Sequence, residues 1–179
     1  MKFEPAGLEG AWVLPLDAHE DERGFFARIW SDADLGGRGL NRNLAECSLS
    51  YNRFARTIRG LHYQAAPGEE AKIVRCVRGA VYDVLVDLRP SSATYRQWIS
   101  RELRADNRVA LYVPEGVAHG YQTLTDGAEL LYLISSPYTP SLARGIRWDD
   151  PAFNIEWPFA PGLMSERDRM FPAFESRFE

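Results

Sequence analysis

What most constrains this chain is that its apolar stretches come in short runs, each stopped by a turn signal. Lys72–Val77 and Val81–Leu88 flank Arg78-Gly79, which predicts a tight hairpin. Arg108–Val113 ends at Pro114-Glu115-Gly116, and Val117–Leu124 follows it. Ala128–Ile134 is bounded by Asp126-Gly127 before it and Pro137 after it. Phe25–Trp30 and Leu44–Ser50 also read as extended. Runs at this spacing, rich in Val, Leu and Tyr, predict an all-β sandwich or barrel rather than a βαβ fold. Helix signals are weak, with one turn at Ser31–Leu35 and a short segment after Ser165. No repeat, low-complexity tract or flexible linker divides the chain, so 1–179 reads as a single domain.

Charge narrows the function classes. The net charge is −4 and no basic run stands out, which argues against nucleic acid as a partner. No stretch approaches the roughly 18 apolar residues of a membrane span, and Met1 to Leu16 lacks the apolar core of a signal peptide. Cys47 and Cys76 read as reduced thiols of a cytoplasmic protein. Lysine is rare: Lys2 and Lys72 are the only two of 21 basic residues, leaving 19 arginines. A chain that keeps one lysine inside an apolar strand has use for a compact ammonium there, which arginine cannot imitate. Residues two apart in a strand share a face, so Lys72, Val74 and Cys76 point one way and Ile73, Arg75 and Val77 the other. If the first set faces the interior, Lys72 reaches a cavity of a size that suits one small ligand. Asp83, on the next run, is then an interior acid suited to a histidine or a lysine.

Ordered motifs carry more. Asp21-Glu22-Arg23-Gly24-Phe25-Phe26 is followed by Thr57-Ile58-Arg59-Gly60-Leu61-His62-Tyr63-Gln64 and Lys72-Ile73-Val74-Arg75-Cys76. Asp83-Val84-Leu85-Val86-Asp87-Leu88-Arg89 and Pro114-Glu115-Gly116-Val117-Ala118-His119-Gly120-Tyr121 come next, then Tyr132, Tyr138, Trp148-Asp149-Asp150-Pro151, Ile155-Glu156-Trp157-Pro158 and Ser165-Glu166-Arg167-Asp168. Together and in order these resemble the dTDP-4-dehydrorhamnose 3,5-epimerases and related nucleotide-sugar epimerases. The resemblance implies a cupin-type jelly roll that forms a homodimer, with N-terminal strands crossing to the partner. It implies a nucleotide-diphosphate 4-keto-6-deoxy sugar as substrate, with neither metal nor other cofactor.

The residues fit such chemistry. Epimerisation beside a ketone needs a base for the C–H proton, a group to hold the enolate and an acid on the opposite face. His62 suits the base, because an imidazole ordinarily titrates at about 6.5. The resemblance assigns its orienting carboxylate to Asp168. A second reading makes Ser165-x-x-Asp168 a helix cap, with Asp83 as the partner of His62. Lys72 suits the enolate oxygen, and Tyr132, a phenol, suits the acid. Arg59 and Arg23 match family positions for the pyrophosphate, where arginine forks serve. His119 matches a position lining the site, and Gln64, Tyr138 and Phe26 complete the expected substrate contacts. Arg28, Glu46 and Ser48 stand where the family more often has Glu, Gln and Asn, at positions that help bind the nucleotide. Glu46 when ionised only accepts hydrogen bonds; it suits a donor-rich base edge or a pairing with Arg28. The base, and whether C3, C5 or both are inverted, are left open. The alternatives are a cupin 3,4-ketoisomerase, whose family lacks much of the C-terminal third, and a sugar-binding jelly roll without turnover. A metal centre would need three or four converging His or carboxylate ligands; the chain has no His-x-His pair, and His19 sits in a polar stretch.

Overall fold

The turn signals mark passages between sheets. The computed structural model describes residues 1–174, so positions 175–179 of the domain expected over 1–179 lie outside the described residues. The described strands are numbered along the chain. A six-stranded sheet runs in the order β1 (Glu4–Pro5), β2 (Trp12–Leu14), β10 (Ala110–Val113), β7 (Lys72–Arg78), β12 (Ala128–Ile134) and β5 (Glu46–Asn52). A five-stranded sheet runs β13 (Ala143–Gly145), β6 (Ile58–Gln64), β11 (Val117–Thr123), β8 (Ala80–Asp87) and β9 (Trp98–Arg104). A separate ribbon joins β3 (Ala18–Asp21) to β4 (Gly24–Ala27). All pairings are antiparallel. The two large sheets stay open rather than closing into a barrel. This is the cupin-type, mostly β architecture expected.

One expectation fails. Arg78-Gly79 does not close a hairpin, because both edges of β7 are taken, by β10 and β12, while β8 pairs with β11 and β9 in the other sheet. Gly79 (φ +72°) instead turns the chain through a corner, where a Cβ would collide with the Thr125 hydroxyl. The turns at 114–116 and 126–127 likewise carry the chain from one sheet to the other. Such crossings place successive strands on alternate sheets, which is how a jelly roll packs apolar alternation into one core. That core lies between the sheets: Val74, Cys76, Leu111 and Leu130 from one meet Val81, Leu85, Leu103 and Val117 from the other. The opposite parity of β7 faces outward, where Ile73 packs with Leu14, Leu35 and Tyr112. A third cluster, including Leu61, Val84, Ile146 and Phe153, covers the outer face of the five-stranded sheet.

Both expected helical turns are present. Helix α1 (Asp32–Gly36) is capped by Ser31 and buries Leu35. Helix α2 (Glu166–Arg169) is capped by Ser165, whose Oγ accepts from the Asp168 amide at 3.1 Å. Cys47 is exposed and Cys76 buried, and both are free thiols. Among the described residues no helix is long and apolar enough to cross a membrane.

Candidate active site

The sheets part at one end around a cavity of about 360 Å³, lined from both sides. The five-stranded sheet supplies Arg59, His62 and Gln64 on β6 with His119 and Tyr121 on β11. The six-stranded sheet supplies Lys72 on β7, Tyr132 on β12, and Glu46, Ser48 and Ser50 on β5. Tyr138 and Arg167 stand at the wall, their polar ends 3.4 Å apart. A second depression of about 620 Å³ adjoins it and shares Arg59, His62 and Arg167.

His62 and Asp168 meet across 106 residues of sequence: Nε2 lies 2.7 Å from Asp168 Oδ1. The other carboxylate oxygen accepts from the Gly60 amide at 3.2 Å. Ser165 therefore caps α2 as its motif predicts, but the Asp168 carboxylate reaches the imidazole rather than closing the box. Burial pushes the Asp168 carboxyl up, yet the His62 hydrogen bond and charge, the Gly60 N–H and Ser165 outweigh it and hold the group below its ordinary range. Where the carboxylate holds the Nε2 proton, Nδ1 of His62 is left as the basic nitrogen. The close approach of β6 to β11 beside this pair requires glycine. Gly60 has φ +126°, and a Cβ there would lie 2.6 Å from Gly120 Cα.

Asp83 does not serve His62. It is wholly buried and pairs with His119, at 2.8 Å from Nε2. Burial raises the Asp83 carboxyl, with His119 and Lys72 pulling the other way, and among the described residues its Oδ1 has no hydrogen-bond partner. The cavity is thus lined by two histidines on neighbouring strands, each paired with an aspartate.

Lys72 is 8% exposed and sits 2.7 Å from Glu70 Oε1, itself nearly buried. An ammonium has three hydrogens, so this contact leaves donors for a ligand. The Tyr132 phenol is pushed well above its ordinary range, by burial first and then by the neighbouring Tyr121 and Asp83. It is a neutral donor at any physiological pH.

Other expected residues are placed differently. Gln64 lines the cavity, but its amide donates to the Gly68 and Pro137 carbonyls at 2.9 and 3.2 Å and accepts from the Thr139 amide at 2.6 Å. It holds the wall loop. Glu46 accepts from the Tyr138 amide at 2.9 Å, at the cavity wall, and among the described residues no hydrogen bond or ion pair joins it to Arg28. Arg59 Nε donates to Asn52 Oδ1 at 2.8 Å and Nη2 to the Tyr51 carbonyl at 3.2 Å, and the side chain lines both depressions. Arg23, Phe26 and Arg28 are exposed and line neither depression of their own chain. Arg23 instead grips Asp21, and Phe26 on the ribbon is 74% exposed. Sequence reasoning passed over Glu70, Arg167 and Tyr121. Their signals were an acid two residues before the interior lysine, a cation beside Asp168, and a phenol two residues after His119. Among the described residues no three His, Cys, Asp or Glu side chains gather in a form that could hold a metal.

Comparison with known proteins agrees with this architecture. The family model of dTDP-4-dehydrorhamnose 3,5-epimerase matches residues 5–176. A dTDP-4-dehydrorhamnose 3,5-epimerase of Sinorhizobium fredii is 38% identical over 97% of this chain and 89% of its own. A dTDP-4-dehydrorhamnose 3-epimerase of Streptomyces niveus is 39% identical over 94% and 82%. The crystal structure of the 3,5-epimerase of Bacillus anthracis, with TDP and PPi bound, superposes with a TM-score of 0.92 at 35% identity, covering 97% of this chain and 99% of that one. Matched along nearly its whole length in sequence and in structure, the chain belongs to the dTDP-4-dehydrorhamnose 3,5-epimerase family, enzymes of the isomerase class.

Proposed function

We propose that the protein epimerises a dTDP-linked 4-keto-6-deoxy sugar in deoxysugar biosynthesis, at C3, C5 or both, within one domain spanning 1–179. The observation that carries this reading is the Asp168-oriented His62 on one sheet, with Lys72 and Tyr132 in the same cavity on the other. His62 Nδ1 takes the proton alpha to the ketone, and the C–H pair moves into an enolate. Asp168 steadies the imidazolium. Lys72 faces the enolate oxygen as a fixed positive charge in a nearly dry wall, where such charge is most effective. Tyr132 returns a proton to the opposite face of the carbon. Arg59 and Arg167, at the junction of the two depressions, suit the pyrophosphate. The nucleotide follows from the relatives that act on or hold dTDP and TDP.

Proton NMR in D₂O with freshly made 4-keto-6-deoxy sugars carrying dTDP, CDP, UDP or GDP tests this. The expected result is loss of the C3 or C5 proton signal with the dTDP sugar, together with appearance of the inverted product. A folded protein that binds the sugars but exchanges no proton would be a binding module instead.

The site also invites a second subunit. Phe25 and Phe26 on the ribbon are 48% and 74% exposed, and Leu49 and Tyr51 on the edge strand β5 are 61% and 52% exposed. We infer a homodimer in which the ribbon, with Arg23 and Phe26, reaches the partner's β5 beside its cavity. Light scattering should give about twice the 20.3 kDa chain mass; a lone 20.3 kDa particle at working concentration removes this part of the reading.

A further inference from the structure

The hydroxyl of Tyr132 does not end in apolar core. Tyr132 lines the same cavity as Tyr121, a residue only 2% exposed; both rings pack on His119, with centroids 6.0 and 6.3 Å away, and Tyr121 is among the neighbours that hold the Tyr132 phenol up. Tyr121 Oη donates to Asn52 Oδ1 at 3.1 Å and lies 3.0 Å from Ser50 Oγ. Asn52 Oδ1 is held in place by Arg59 Nε. Both Ser50 and Asn52 belong to β5, so a polar chain runs from Tyr121, in the wall it shares with the proposed acid, to the edge of the six-stranded sheet. Nothing in the chemistry assigned to His62, Asp168 and Lys72 uses it.

A phenol carries one hydrogen. With Tyr132 neutral, Tyr121 sends its own hydrogen to Asn52. Once Tyr132 has given its proton to carbon, its oxygen is a phenolate in a poorly solvated wall and needs a donor. Rotation about its own C–O bond turns the Tyr121 hydrogen from Asn52 Oδ1 to Tyr132 Oη. Ser50 remains to donate to Tyr121, and Asn52 keeps its bond from Arg59.

We propose that Tyr121 is a positioning residue for the acid, a switchable donor that steadies the Tyr132 phenolate and, through Ser50, reloads it. The proton balance closes. The enolate π pair and the Tyr132 proton form the new C–H bond as the carbonyl returns. Tyr121 passes a proton to Tyr132, Ser50 passes one to Tyr121, and water restores Ser50. The His62 imidazolium returns its proton to water. This inference rests on the epimerase reading, in which Tyr132 is the acid.

The test measures two rates on the same substrate in D₂O, deuterium entry at the inverted carbon and formation of the inverted product. Tyr121→Phe keeps the ring and removes the donor. Inversion is expected to fall on the order of tenfold, while exchange without inversion rises relative to it, because His62 still removes the proton and can return deuterium to the same face. Ser50→Ala should move the ratio the same way by less. If Tyr121→Phe lowers exchange and inversion in parallel, Tyr121 is structural and the relay is wrong; an unchanged rate and ratio also removes it. Wild-type enzyme that exchanges nothing would overturn the epimerase reading itself, so the two failures are told apart by the unmutated protein.

Discussion

His62→Ala should abolish exchange and inversion alike, with kcat reduced on the order of 10²- to 10⁴-fold and the fold intact. Removing a positioned base typically costs this much, and in the proposed mechanism His62 is the group from which both observables start. The side chain is 40% exposed at the cavity wall, so its loss opens little core and thermal stability should change modestly. Asp168→Asn should fall in the same range through a different cause. An amide can donate to Nε2, which would move the imidazole proton to Nδ1, the nitrogen that must be free to act as base. The Gly60 amide and the Ser165 cap keep the α2 segment in place in that variant. The reading is sunk if either variant retains exchange within about tenfold of wild type while folded.

Lys72→Met should lose on the order of 10²- to 10³-fold in kcat, the usual cost of removing a donor to developing negative charge. It should also lose stability, because Glu70 is nearly buried beside the ammonium. Breaking a buried pair from one side leaves an uncompensated charge and costs roughly 3 to 5 kcal/mol. The two effects can be separated. Adding Glu70→Gln to Lys72→Met removes the stranded carboxylate, so urea midpoints should return toward wild type while kcat stays low. Lys72→Arg, which keeps the charge but spreads it over a planar fork, should bind the nucleotide sugar and turn it over poorly. A double variant whose activity recovered along with its stability would show that Lys72 serves the fold and not the enolate.

Much of this was legible locally, and the failures share a cause. The period of two on β7 correctly put Lys72 on the same face as Val74 and Cys76, because side-chain parity needs no knowledge of neighbours. The turn at Arg78-Gly79 was located but misread, since a glycine with positive φ reports a reversal and not which strand lies beyond it. The partner of His62 needed the topology: Asp83 and Asp168 were both plausible in sequence, and only the packing of α2 against β6 and the pairing of β8 with β11 assign one acid to each histidine. Gln64 stands in the motif like a ligand, yet backbone from the 137–139 loop occupies its amide. Arg23, Phe26 and Arg28 matched in the sequence but sit on or next to a ribbon that leaves its own chain's cavity, something no single-chain pattern encodes.

The division of labour between the sheets has a consequence for stereochemistry. Facing sheets pack roughly 10 Å apart, about the room that a sugar ring with a side chain on either side requires. His62 comes from one sheet and Tyr132 from the other. A ring lying between them presents its two faces to two different layers of the protein. Under the roles proposed for His62 and Tyr132, loss of a proton to one layer and gain from the other is inversion by construction. On that proposal, handedness at the reacting carbon is written into the sandwich, and a return by the same path is what the two-layer arrangement avoids.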